Sequence, residues 1–374
     1  MGQTSRIRGL DGLRAIAVAL VILQHKTHFG KADVGAYGVW LFFVLSGFLI
    51  IGILHTERGK IEAGTIGVGE AIWVFMVRRS LRIFPIYYLT LLATLPIFLT
   101  SVHANGTPFR PEEAWFNFAY LSNFWMGNYV QGTVGSFSHL WSLSVEEQFY
   151  LVSASILLFF PRNRSVQICL AICIVGLVAK IALELAHAPA ITIATNSLIN
   201  FALIAYGGIC ILRLLPNKPA PGRETLVAPI LLCVYLALPF VFQWLHIGQD
   251  RPTYAQFAPL LVGPLLVSIY LNQKQLLVKV LELWPLRITG QMSYGIYLYH
   301  NFAYPSFIVT PMEKLFGVSI VLPKYADLSI SVVMTLVVAA LSWNFIEKPL
   351  LRLRPQSLGE PGARASKALA ASKG

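Results

Sequence analysis

Charge is what this chain has least of. Asp, Glu, Lys and Arg make up 12% of its 374 residues, hydrophobic residues make up 56%, and the mean hydropathy is +0.65. A soluble domain carries about twice that charged fraction. No water-facing exterior can be built from so little polar surface, so lipid must cover most of it. Cysteine is scarce too. Cys169, Cys173, Cys210 and Cys233 all fall in apolar stretches, with no Cys/His set of metal spacing around them. They read as small packing residues, which implies neither a disulfide nor a metal site. G-x-S-x-G, Walker A and H-E-x-x-H sequences are missing, and with them the usual marks of a serine-hydrolase elbow, a P-loop and a zinc protease. No internal repeat and no appended soluble domain is visible.

What is present is a succession of apolar runs of roughly 17–25 residues, the length that crosses a hydrocarbon core of ~30 Å. The expected spans are 11–29, 37–55, 81–101, 140–160, 166–187, 195–215, 226–246, 256–272, 291–311 and 327–347. The eighth is the weakest, because Pro259 and Pro264 sit inside it, and neighbouring helices would have to satisfy the backbone groups these prolines free. The fold class is therefore all-α: a polytopic membrane protein of about ten transmembrane helices. One membrane domain is expected over residues 1–354. Residues 355–374, rich in Ala, Gly, Ser, Lys and Pro, read as a disordered cytoplasmic tail. Arginines followed by an apolar run resemble a signal peptide, but Gln24, His25 and Lys26 stand where a small-x-small cleavage site would be, so the first helix is expected to be retained.

With these spans, Lys26, Lys31, Arg110, Arg251, Lys314 and Lys324 fall on one face, Lys180 falls inside a span, and every other Lys and Arg falls on the opposite face. By the positive-inside rule that richer face, which holds both termini, is cytoplasmic. The net charge of +12 is mostly this bias, and no motif for binding nucleic acid accompanies it.

Ionisable residues inside spans are costly and become functional candidates by default. In the first span Arg14 and His25 are eleven residues apart, which at 100° per residue is about 20° beyond three full turns. Asp11 lies about 40° to the other side of His25, so all three share one helix face. The rise from Arg14 to His25 is about 16 Å, from the cytoplasmic mouth to well inside the membrane. This arrangement suits a ligand with an anionic end in the cytoplasm and a reactive end at a neutral imidazole able to accept an alcohol proton. Arg79 and Arg82, in R-R-S-L-R-I-F-P with Arg78, are neighbours at i,i+3. They suit a phosphate clamp and, equally, positive-inside anchoring. His139, Glu146 and Glu147 crowd the start of the fourth span, where a helix dipole alone would account for one acidic residue. Tyr297 and His300 stand at i,i+3 in the ninth, and Glu347-Lys348-Pro349 reads as helix termination with surface pairing.

Taken in order, R-G-L-D-G-L-R-A-I-A-V with His25 beyond it, F-F-V-L-S-G-F-L-I (42–50), R-R-S-L-R (78–82), H-L-W-S-L-S-V-E-E-Q-F-Y (139–150) and S-Y-G-I-Y-L-Y-H (293–300) resemble the acyltransferase-3 family of integral-membrane acyltransferases. The resemblance runs from residue 6 to about 350. It implies ten helices and an acyl-CoA donor, usually acetyl-CoA, taken from the cytoplasm and not held as a permanent cofactor. It also implies an acceptor hydroxyl on an extracytoplasmic glycan or its lipid-linked precursor, with macrolides or other small molecules as the alternative. The family's Arg-x10-His falls on Arg14 and His25, its Arg-x-x-Arg on Arg79 and Arg82, and its glutamate on Glu146 rather than Glu147. In the implied scheme Arg14, Arg79 and Arg82 hold the acyl-CoA phosphates, while His25 is the base or a transient acyl carrier. His139 and Glu146 guide the acceptor, and Asp11, Ser46, Tyr297 and His300 support the site. Members that modify surface glycans sometimes continue into an SGNH-type esterase domain. None is visible in this sequence, so a separate extracytoplasmic acyltransferase partner is expected if transfer needs one. The expected location is a bacterial inner membrane, in contact with its lipids. A proton-coupled transporter or flippase is the rival class, although paired inverted halves are not seen.

Overall fold

The structure, a computed structural model, describes residues 6–27, 32–102, 106–215, 226–246, 255–305 and 323–355. Among these residues there is no strand, only one isolated bridge between Val102 and Pro108. Ten helical segments follow the expected spans in order. They are α1 Leu10–Thr27, α2 Val34–Glu62, α3 Val68–Thr100, α4 Leu140–Phe159, α5 Ser165–Leu185, α6 Ser197–Leu214, α7 Val227–Trp244, α8 Val262–Leu271, α9 Ser293–Tyr299 and α10 Lys324–Ser342. Six stretches, containing α2, α3, α5, α6, α7 and α10, are long and apolar enough to cross a membrane. Many large apolar side chains face outward, Leu185, Trp244 and Phe345 among them. In water such a surface would aggregate; against lipid it costs nothing. The protein is an all-α, multi-pass membrane protein.

α2 is the central post. It is apolar all round, as a helix buried on every side must be, and 72% of its most hydrophobic window is buried, against 11% for the stretch Arg162–Leu185 containing α5. α1, α4 and α6 pack around α2, while α5 shows most of its surface to lipid. Close approach of α2 and α6 depends on Gly47 and Gly207. A Cβ at Gly47 would lie 1.7 Å from the Ile204 carbonyl oxygen, and one at Gly207 would lie 1.9 Å from that of Val44.

Departures from the expected spans have local causes. The eighth is a 3-10 turn over Ala255–Leu261, containing Pro259, followed by the ten-residue α8. The ninth is shorter than expected: α9 ends at Tyr299, with His300 as its C-cap, and the chain turns through Phe302. Residues 306–311 of that expected span lie outside the described residues, as does the tail beyond Pro355. Glu347-Lys348-Pro349 does not end the tenth helix, contrary to expectation. A π-turn over Trp343–Glu347 absorbs the proline, and the helix resumes over Lys348–Arg352. Glu347 is buried and accepts from Ser342 Oγ at 3.2 Å instead of pairing on the surface. Pro349 stands in the first turn of the resumed helix, where its missing N–H costs little.

Between α3 and α4, short turns carry an aromatic cluster of Phe98, Phe109, Trp125 and Phe137, with Trp125 wholly buried. Phe137 packs on Phe302 at 5.1 Å. This cap ties the entry of α4 to the end of α9, and so brings His139 to His300.

Candidate active site

An internal cavity of about 70 Å³ is lined by Arg14 of α1, Ser46 of α2, Arg79 and Arg82 of α3, Glu146 and Tyr150 of α4, and Tyr294 and Tyr297 of α9. Six of the residues expected from sequence therefore meet at one place. Asp11 does not line it. Its carboxylate takes Arg6 at 2.7 Å and Arg14 at 3.3 Å, tethering Arg14 at the cavity's edge. Arg78 points elsewhere, donating from Nε to the Pro355 carbonyl at 2.9 Å. The i,i+3 pair thus faces inward together while its neighbour does not, as helical geometry requires. The Arg79 guanidinium lies over the rings of Tyr150 (5.4 Å) and Phe75 (5.7 Å), a cation–π seat that holds it without a carboxylate. Among the described residues neither Arg79 nor Arg82 forms an ion pair within 4.0 Å.

Glu146 accepts short hydrogen bonds from the hydroxyls of Ser46 and Tyr150. Glu147, one residue on, does not line the cavity. Tyr297 closes the far end. Its hydroxyl meets Ser142 Oγ at 2.5 Å and the His139 carbonyl at 3.1 Å. Beyond Tyr297 stand three imidazoles in contact, His139 to His300 at 4.9 Å and His300 to His25 at 5.0 Å between ring centroids. His25 is absent from the cavity wall; Tyr297 and His300 lie between.

The hydrogen bonds assign each ring a different capability. His25 Nδ1 lies 2.9 Å from the Val21 carbonyl. A carbonyl only accepts, so Nδ1 carries the proton and Nε2 keeps a lone pair. His300 Nδ1 meets the Tyr297 carbonyl at 2.5 Å, and its Nε2 is buried without a partner among the described residues. His139 is committed at both nitrogens. Nε2 lies 3.0 Å from the Leu298 carbonyl, and Nδ1 lies 3.1 Å from the Ser136 carbonyl and 3.3 Å from the Asn301 amide nitrogen. His139 pins the end of α9 and offers no free lone pair.

Arg354 was not singled out from sequence. Its Nε is buried and unpartnered among the described residues. Burial, and then the fields of Arg82, Arg79 and Arg78, push the guanidinium down to about 10. Arg354 thus stands within electrostatic reach of Arg78, Arg79 and Arg82, although it does not line the cavity. No spacing rule could have found Arg354, because the fold returns it to α3 from the far end of the chain.

The protein is thus an all-helical membrane bundle that holds an arginine-lined cavity, with three histidines beyond Tyr297. The chain matches the acyltransferase domain of the acyltransferase-3 family over residues 7–346 and belongs to that family. It is 29% identical over 368 residues to the peptidoglycan O-acetyltransferase OatA of Listeria monocytogenes, covering 92% of this chain and 56% of that protein. It is 28% identical over 374 residues to the putative peptidoglycan O-acetyltransferase YrhL of Bacillus subtilis, covering 92% and 55%. The O-acetyltransferase OatA of Staphylococcus aureus is 27% identical, with 91% and 57% covered. The chain spans little more than half the length of these relatives. No solved structure matches it.

Proposed function

We propose that the protein is a membrane-embedded O-acetyltransferase of a bacterial inner membrane. It moves an acetyl group from cytoplasmic acetyl-CoA to a hydroxyl of an extracytoplasmic or lipid-linked carbohydrate. The peptidoglycan named for its relatives supports a peptidoglycan-type acceptor. The observation that carries the reading is the cavity itself, with Arg14, Arg79 and Arg82 at one end and Tyr297, in contact with the histidines, at the other. Arginine forks match phosphate oxygens. Acyl-CoA would leave its phosphates there and extend its pantetheine arm past Glu146 toward His25. The acceptor hydroxyl gives its proton to His25 Nε2 as its oxygen bonds to the acyl carbon. The carbon–sulfur bond then breaks, and the proton passes from His25 to the departing thiolate. His139, with both ring nitrogens committed, positions α9 in this scheme and moves no proton.

The test is transfer of radiolabelled acetyl from acetyl-CoA to a peptidoglycan precursor by the protein in nanodiscs. Donor binding is measured in parallel on Arg79→Ala, Arg82→Ala protein. The reading requires transfer by wild type and weakened donor binding by the double variant. Wild-type affinity in the double variant would return these arginines to the role of membrane anchors.

A further inference from the structure

A second cavity, of about 390 Å³, lies where the end of α2 meets the start of α5, on the face that carries the N-terminus. Arg162, His55, Lys60 and Thr56 supply polar groups to its lining. Arg162 Nε donates to His55 Nε2 at 2.7 Å. That contact makes Nε2 the acceptor, so His55 Nδ1 carries its proton and donates to Ser165 Oγ at 3.2 Å. Ser165 is buried and opens α5. The turn itself is pinned by the Arg162 N–H, which donates to Glu62 at 2.7 Å. The Arg162 side chain also crosses Gly59, where a Cβ would stand 3.0 Å from Nη1.

A positive-inside arginine needs none of this. An anchoring side chain is free to seek water or lipid phosphate, and its basic neighbours here are already neutralised: Arg58 pairs with Glu62 at 3.2 Å and Lys60 with Glu57 at 2.9 Å. The Arg162 guanidinium forms no ion pair within 4.0 Å among the described residues, although Glu62, held by the Arg162 N–H, lies within its electrostatic reach, and its terminal nitrogens make no hydrogen bond there. An imidazole lone pair fixes its Nε, which leaves the two-pronged end held in place without a protein hydrogen bond among the described residues. That end is the part of arginine that grips phosphate in two parallel bonds. The first turn of α5 adds the positive end of a 21-residue helix dipole, and basic pockets between transmembrane helices on the cytoplasmic side take anionic headgroups.

We propose that Arg162, set by His55 and Ser165, forms a phosphate-binding site separate from the arginine-lined cavity. Its ligand is a phosphate ester at the membrane surface, carried by an anionic phospholipid or by a soluble phosphorylated nucleotide. The proposal does not depend on acyl transfer, and a protein that transferred nothing would still bind there.

The test uses the full chain in phosphatidylcholine nanodiscs, as wild type, Arg162→Gln, Arg162→Lys and His55→Phe. In the lipid arm, phosphatidylglycerol is added and the molecules retained are counted by native mass spectrometry. In the soluble arm, adenosine 3′,5′-bisphosphate is titrated by calorimetry. In one of the two arms Arg162→Gln should weaken binding about tenfold or more, the scale of one lost charge-assisted contact. Lys should restore it in part, and the arm that responds names the source of the phosphate. His55→Phe leaves the arginine but removes what aims it, and should weaken the same arm. It also stands in if Arg162→Gln folds poorly. Wild-type binding by Arg162→Gln and His55→Phe in both arms overturns the proposal.

Discussion

The rings of His25 and His300 meet edge to face at 5.0 Å, and each has its Nδ1 on a main-chain carbonyl of its own helix. Both therefore carry an unprotonated Nε2, but only His25 stands on the helix that also carries Arg14. Replacing His25 by Gln keeps a group that can donate to the Val21 carbonyl and removes the proton acceptor. The variant should fold and bind acetyl-CoA as wild type does, yet lose about 10²–10⁴-fold in transfer, the usual worth of general-base assistance. Donor binding, transfer rate and thermal stability measured on one preparation decide the matter. A well-folded His25→Gln protein with substantial transfer would remove His25 from the chemistry.

Tyr297 separates the cavity from the histidines through its hydroxyl, which meets Ser142 and the His139 carbonyl. Tyr297→Phe keeps the ring that packs edge-on to Phe42 at 6.0 Å and should cost only about 1 kcal/mol, one hydrogen bond. Without the hydroxyl the partition is open to water. Transfer to carbohydrate should fall, while acceptor-independent hydrolysis of acetyl-CoA should rise. An unchanged ratio of hydrolysis to transfer would show that Tyr297 is only packing.

Much of this site was legible because helical periodicity is local. The shared face of Arg14 and His25 and the i,i+3 pairing of Arg79 and Arg82 need nothing but 100° per residue. The apolar runs locate α1 and α4 to α7 closely, while α2 runs on to Glu62 and α3 begins at Val68, so most of the expected 56–80 loop is helical. Contacts made across the bundle were not legible. In sequence His139 reads as a guide for the acceptor; its tie to the end of α9 is invisible there because the Leu298 carbonyl and the Asn301 amide lie on another segment. Glu347 reads as a surface residue because the π-turn that buries it has no signature in residue order. α9 ends at Tyr299, where His300 and Asn301 meet His139 across the bundle, while hydropathy alone would carry the helix on.

Glu146 can be tested by a change that moves two observables in opposite directions. Glu146→Gln keeps an oxygen to accept the Ser46 and Tyr150 hydroxyls, so folding should survive. It removes the negative charge within electrostatic reach of Arg14 and Arg79, so an anionic donor should bind at least as tightly. If the carboxylate serves the acceptor, transfer should nevertheless fall by about 10²-fold. Tighter donor binding with weaker transfer is a pattern that misfolding cannot produce. Equal losses in both would mean that Glu146 is only structural.

Arg354 makes the last prediction, and its sign runs against intuition. Burial and the fields of Arg82, Arg79 and Arg78 hold its folded-state value at about 10, below the ordinary guanidinium range. Above pH 10 the unfolded chain therefore binds more protons than the folded one, and stability gains from this group as pH rises through that window. At neutral pH both states hold the proton, and the charged guanidinium is a cost that folding bears. An anion at the arginine cluster removes the cost. Arg354→Gln should leave the melting temperature of the ligand-free protein unchanged or higher, while weakening acetyl-CoA binding by about tenfold, one charge-assisted contact. Acetyl-CoA should accordingly raise the melting temperature of wild type more than that of the variant. Thermal unfolding at pH 7.0, a pH near neutrality where every arginine is charged, with and without acetyl-CoA, gives all four values. A ligand-free variant less stable than wild type, with an unchanged acetyl-CoA shift, would make Arg354 a packing residue and leave the donor to Arg14, Arg79 and Arg82 alone.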